Sequence, residues 1–215
     1  PGVGVEITGV DLRKVTDGEF DAIRAAYADH GVIFFRDQDL SEEDHIAFAE
    51  RWAPINVNRF FAAHPNYPQI AMVAKEADQK DNIGGGWHTD HSYDEIPAMG
   101  SILVARVLPE SGGDTFFASM YRAYETLDDE TKAEIEGQRA VHSAKQIFGS
   151  QGQTYYNKTD AGGERIGNAA AADVLDDVVH PMVITHPLSG KKALYVNPAF
   201  TVGIGGRTQE AAMPL

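Results

Sequence analysis

The stretch Gly86-Trp87-His88-Thr89-Asp90-His91 decides how the rest of the chain is read. Taken as one short strand, it sends successive side chains to opposite faces. His88 and Asp90 then project together while Thr89 and His91 project the other way. An imidazole beside a carboxylate suits divalent iron, because two neighbours on one strand supply two ligands of a 2-His-1-carboxylate triad. The remaining positions stay open for cosubstrate and oxygen. A bare His-x-Asp is also a common surface pair, so its surroundings carry the decision.

Those surroundings begin with size and charge. A chain of 215 residues with 43% hydrophobic content can bury one sizeable core and is read as a single domain over 1–215. A formal net charge of -14 repels phosphate backbones and anionic membranes, which points to a small-molecule partner and away from nucleic acid and membrane, with self-association open. The absence of cysteine excludes disulfides, thiolate zinc sites and Cys nucleophiles, leaving His, Asp and Glu as the ligand pool. With no long apolar run and no leader pattern at Pro1, a cytoplasmic location is expected. Both ends look cut.

Working outward toward the N-terminus, Gly84-Gly85-Gly86 lets the backbone approach the motif closely, and Lys75 to Asn82 reads as a connection. Ile70 to Val73 is strand-like. Asn56, Asn58, Arg59 and Phe60-Phe61 lie in a loop that lines a substrate pocket or simply packs. Thr16-Asp17-Gly18-Glu19 and Ser41-Glu42-Glu43-Asp44 open two helices, the first running from about Asp17 to His30 with Gly31 as its cap. Val32 to Phe35 is a buried strand.

Toward the C-terminus, Gly100 to Leu108 and Asp114 to Phe117 read as strands joined by a Gly112-Gly113 turn. Helices follow from Ser119 and Asp128, then a strand over 139–143. Residues 148–177 show no sustained period and read as a long loop, Ala169 to Ala172 included. Strands at 181–186 and 193–197 flank a turn at Pro187 to Gly190. Early helices followed by many short strands with Gly and Pro turns give an α+β class with a sandwich or barrel-like core. Among eight histidines, His30, His45 and His64 read as solvated, and His142, His180 and His186 as structural. The zinc pattern His-x-His-x-Asp-His of metallo-β-lactamase-like hydrolases needs a histidine where Gly86 stands, and a strand turns His91 off the shared face.

Several motifs in order, Phe34-Phe35-Arg36-Asp37-Gln38, Trp87-His88-Thr89-Asp90, Pro97-Ala98, Gly112-Gly113-Asp114-Thr115, Ala123-Tyr124, His180-Pro181, Thr185-His186-Pro187 and Leu194-Tyr195-Val196-Asn197, resemble the taurine dioxygenase/TfdA family. The resemblance covers nearly the whole chain. It implies a double-stranded β-helix (jelly-roll, cupin-like) core with flanking helices, and an enzyme using Fe(II), 2-oxoglutarate and O2. His88 and Asp90 are then the iron ligands, and Thr115 holds a 2-oxoglutarate carboxylate. Asn56, Asn58 and Tyr195 are the candidate substrate-pocket residues. The family's distal His and its 2-oxoglutarate-binding Arg are expected beyond Leu215. Asn56-Val57-Asn58-Arg59 departs from taurine-specific members, whereas Ser119-Met120-Tyr121 and the 142–149 stretch are closer to relatives acting on aryloxyalkanoates, so a small anionic substrate is expected. The alternatives are an inactive binding module on the same fold and a zinc hydrolase.

Overall fold

The computed structural model describes residues 3–76, 82, 84–150 and 169–212. In chain order its regular elements are β1 (Val5–Glu6), α1 (Asp17–His30), β2 (Ile33–Phe34), α2 (Glu42–Glu50), β3 (Ala63–His64), β4 (Tyr67–Ala71), α3 (Met120–Glu125), α4 (Asp129–Ile135), β5 (Arg139–His142), α5 (Lys145–Phe148), α6 (Ala169–Asp173), β6 (Val178–Pro181), β7 (Val183–Thr185), β8 (Lys192–Leu194), β9 (Thr201–Ile204), β10 (Arg207–Thr208) and α7 (Gln209–Ala212). They divide between two compact units that interleave in sequence. One takes Pro1–Pro54, Ile102–Lys132 and Val183–Leu194, the other Ile55–Ser101, Ala133–Met182 and Tyr195–Leu215.

In the first unit both expected helix starts form as capping boxes. The Thr16 hydroxyl accepts from the Glu19 amide while the Glu19 carboxylate accepts from the Thr16 amide, and Ser41 and Asp44 do the same for α2. Gly31 closes α1, its N–H donating to the Tyr27 carbonyl. The apolar faces of α1 and α2 then meet. Phe20, Ile23, Leu40 and Phe48 are buried with Leu12, and Phe20 meets Phe48 and Trp52 edge-on. Strands β1 and β2 pair in parallel, and β7 and β8 form the expected hairpin, shorter than the sequence reading by a few residues.

Two expected strands are corrected in this unit. Residues 102–108 and 114–117 join no ladder among the described residues, although Gly112 and Gly113 take the left-handed backbone (φ 78° and 75°) of a tight turn. Their β-propensity has no strand beside it to satisfy, and Leu103, Val107, Leu108, Phe116 and Phe117 stand exposed.

The second unit is built on an antiparallel sheet in the order β10-β9-β5-β6, with β3 and β4 as a separate hairpin. Its core is aromatic. Phe60 stacks on Phe148 with ring centroids 4.2 Å apart, and Tyr93 meets Phe200 edge-on at 4.7 Å. The expected loop over 148–177 is corrected at one place, where Ala169–Asp173 forms a helix and Ala172 is buried in that core. Alanine is the strongest helix former, and a run too short to show a period can still fold once a core accepts it. The rest of that loop reading, 151–168, lies outside the described residues.

Candidate metal centre

The motif that opened the sequence reading is not a strand. Residues 87–89 join no ladder and Asp90 to Tyr93 form a turn, with His91 in the left-handed region at φ 58°. A turn at Asp90 breaks the alternation on which the strand argument relied. The pairing it anticipated nevertheless holds, because His88 Nε2 stands 3.3 Å from Asp90 Oδ1.

Each partner is oriented from behind. His88 Nδ1 lies 2.8 Å from the Gly86 carbonyl, which can only accept, so Nδ1 carries the proton. In the neutral ring Nε2 therefore faces Asp90 with a lone pair, and in the protonated ring with an N–H. Asp90 Oδ2 accepts from the Ser101 hydroxyl at 2.8 Å, leaving Oδ1 turned to the imidazole. The hydrogen bond to Asp90 raises the His88 pKa against the opposing effect of burial, and the same bond lowers that of Asp90. Lone pair and carboxylate oxygen attract only through a shared cation, either a proton or a metal ion. The 3.3 Å spacing suits neighbouring donors on one divalent ion at metal–ligand distances of about 2.1 Å. A first-row ion fits this donor pair, with the Gly86 carbonyl setting the imidazole tautomer as metal-bound histidines require. No third His, Asp or Glu joins the pair among the described residues.

Gly84 and Phe200 bound the imidazole. A Cβ on Gly84, itself at φ 74°, would come within 3.4 Å of His88 Cε1, and Phe200 meets the ring edge-on with centroids 6.3 Å apart.

Behind the pair lies a polar layer that the sequence reading did not find. Asp94 accepts from His91 Nδ1 at 2.8 Å and from the Arg59 guanidinium, and His180 Nε2 donates to its backbone carbonyl at 3.0 Å. Ser92, fully buried, bonds Asn197 at 3.0 Å. The only signal was local: a carboxylate three residues after His91 in a turn-rich stretch. His91 is turned to Asp94, away from the zinc pattern.

Asn58 Oδ1 accepts the amides of Phe60 and Phe61 at 2.8 and 3.0 Å, shaping the loop that brings Arg59 to Asp94. Asn56 is exposed. Tyr195 packs on the His142 and His180 rings with centroids 5.8 and 5.4 Å away, and burial pushes its pKa up to about 12. Thr115 is exposed in the first unit, on the segment that joins no ladder.

The whole chain, residues 1–215, matches the profile described as "Taurine catabolism dioxygenase TauD, TfdA family". A "(S)-phenoxypropionate/alpha-ketoglutarate-dioxygenase" of Sphingobium herbicidovorans is 32% identical over 90% of this chain and 67% of its own length. A "Putative alpha-ketoglutarate-dependent sulfonate dioxygenase" of Schizosaccharomyces pombe is 30% identical over 95% of this chain and 51% of its own. Among solved structures, a putative alpha-ketoglutarate-dependent taurine dioxygenase from Burkholderia xenovorans superposes with a TM-score of 0.75 at 28% identity, covering 98% of this chain and 68% of that one. Such dioxygenases are double-stranded β-helix proteins. The class is that of the non-haem Fe(II)-dependent dioxygenases, whose cosubstrates are O2 and 2-oxoglutarate, also called alpha-ketoglutarate. The chain belongs to the TauD/TfdA family. It spans about half to two thirds of the length of these two curated relatives.

Proposed function

We propose that the protein carrying this chain is a cytoplasmic Fe(II)- and 2-oxoglutarate-dependent dioxygenase that hydroxylates a small anionic organic substrate. A substrate C–H bond, O2 and 2-oxoglutarate give the C–OH product, succinate and CO2. The observation that carries this reading is the His88 Nε2 lone pair and Asp90 Oδ1 sharing one cation position at 3.3 Å, each held from behind.

His88 and Asp90 would hold the iron, which supplies the oxygen activation when bound. The Gly86 carbonyl keeps the His88 proton on Nδ1, so Nε2 is always the coordinating atom. Ser101 keeps Asp90 Oδ2 engaged, leaving Oδ1 for the ion. Phe200 packs edge-on against the imidazole. By family resemblance Thr115 hydrogen-bonds a 2-oxoglutarate carboxylate. Asn56, Asn58 and Tyr195 are the proposed substrate-pocket residues. Relatives named for phenoxypropionate and sulfonate support an anionic substrate class. No helix among the described residues is long and apolar enough to cross a membrane. The comparisons give no support to the inactive module or the zinc hydrolase.

The test uses the full-length encoded protein. His88→Ala and Asp90→Ala are each expected to abolish iron-dependent succinate formation from 2-oxoglutarate. Wild-type turnover in either variant would sink the assignment.

A further inference from the structure

Asp90 presents a carboxylate whose side chain is 56% exposed, on a turn with no ladder to hold it. Its own carboxylate has Ser101 and His88 as partners. The position of that carboxylate therefore depends on what fixes the backbone of the turn.

Asp94, four residues on, uses every polar group it has for this. Oδ1 accepts from the Arg59 guanidinium and Oδ2 from His91 Nδ1. Its amide donates to the His91 carbonyl at 3.0 Å, and its own carbonyl accepts from His180 Nε2. One residue thus ties the turn to itself, to the 55–61 loop and to β6. The side chain is 9% exposed, so both carboxylate bonds lie largely out of water, where losing a partner costs most. His91 sits at φ 58°, a left-handed backbone that a residue with a Cβ adopts only at a steric cost. Its bond to Asp94 runs across that strained residue and holds it there.

We propose that Asp94 is the positioning residue of the metal pair: by bridging His91, Arg59 and β6 it sets the 90–94 turn and with it the reach of Asp90 toward His88. The inference rests on the iron reading above. It gives Asp94 no contact with metal or substrate; its effect passes through the backbone to Asp90.

The experiment is a Mn(II) titration of the full-length protein, with free Mn(II) read by its EPR signal and folding followed by near-UV circular dichroism. Asp94→Ala is expected to weaken Mn(II) binding by about 10- to 100-fold, the range found when groups behind a metal ligand are removed. Asp94→Asn, which keeps one acceptor oxygen, should lose less, and it carries the test if the alanine variant does not fold. Wild-type Mn(II) affinity in a folded Asp94 variant, with only a lower melting temperature, would overturn the proposal. His88→Ala titrated alongside separates the two readings. If it binds as tightly as wild type, the metal pair itself is wrong and this inference falls with it. If it loses binding while Asp94→Ala keeps it, the role of Asp94 alone is wrong.

Discussion

His142 shows what burial does to one residue when little is offered in return. It is fully buried on β5 between the rings of His180 and Tyr195, and neither ring nitrogen has a hydrogen bond among the described residues. Burial, and then the nearby His180, outweigh the opposing pull of the Tyr195 backbone and bring its pKa down to about 4, so the native state holds it neutral. The unfolded chain binds that proton below its ordinary value near 6.5, so this contribution to stability is complete above pH 6.5 and is lost as pH falls toward 4. Between pH 7 and pH 5 the loss should be on the order of 2 kcal/mol. Urea unfolding at the two pH values measures it, and His142→Phe, which fills similar space without titrating, should flatten that slope. Equal slopes in both proteins would remove His142 as the cause. Reading this residue as structural from its strand position is consistent with this burial, but its missing partners were not legible. They depend on which rings three separate segments bring together.

At the scale of elements, local chemistry was readable wherever the partners are neighbours in sequence. Both capping boxes, the Gly31 stop and the β7–β8 hairpin depend on contacts within a few residues. The 86–91 stretch misled because period-2 alternation was inferred from a motif too short to exclude a turn, yet a turn brought the same two side chains together. Ser101 on Asp90 and Arg59 on Asp94 could not be read, since each joins loops whose meeting is decided by the aromatic core. Thr16→Ala should cost about 1 kcal/mol in a urea titration by leaving an amide of α1 uncapped. The proposed metal pair, His88 and Asp90, belongs to the other unit, so Mn(II) affinity should stay unchanged. A large loss of affinity would mean that the cap is coupled to the site.

For the molecule as a whole, the acidic surface and the exposed apolar segments pull in different directions. A charge of -14 favours solubility, while Val107 and Phe116 are 91% and 77% exposed beside Leu103 and Leu108. Polypeptide 1–215 made by itself should bind the dye ANS, and Val107→Ser with Phe116→Ser should reduce the signal. Equal fluorescence in the two would assign the dye to another surface. The tethers of the 90–94 turn also have a consequence for synthesis. Asp94 waits for His180, made 86 residues later, and Ser92 for Asn197, made 105 residues later. At ordinary elongation rates that delay is on the order of ten seconds. On the proposed assignment of His88 and Asp90 as iron ligands, iron loading would follow the synthesis of His180 and Asn197, which complete these tethers.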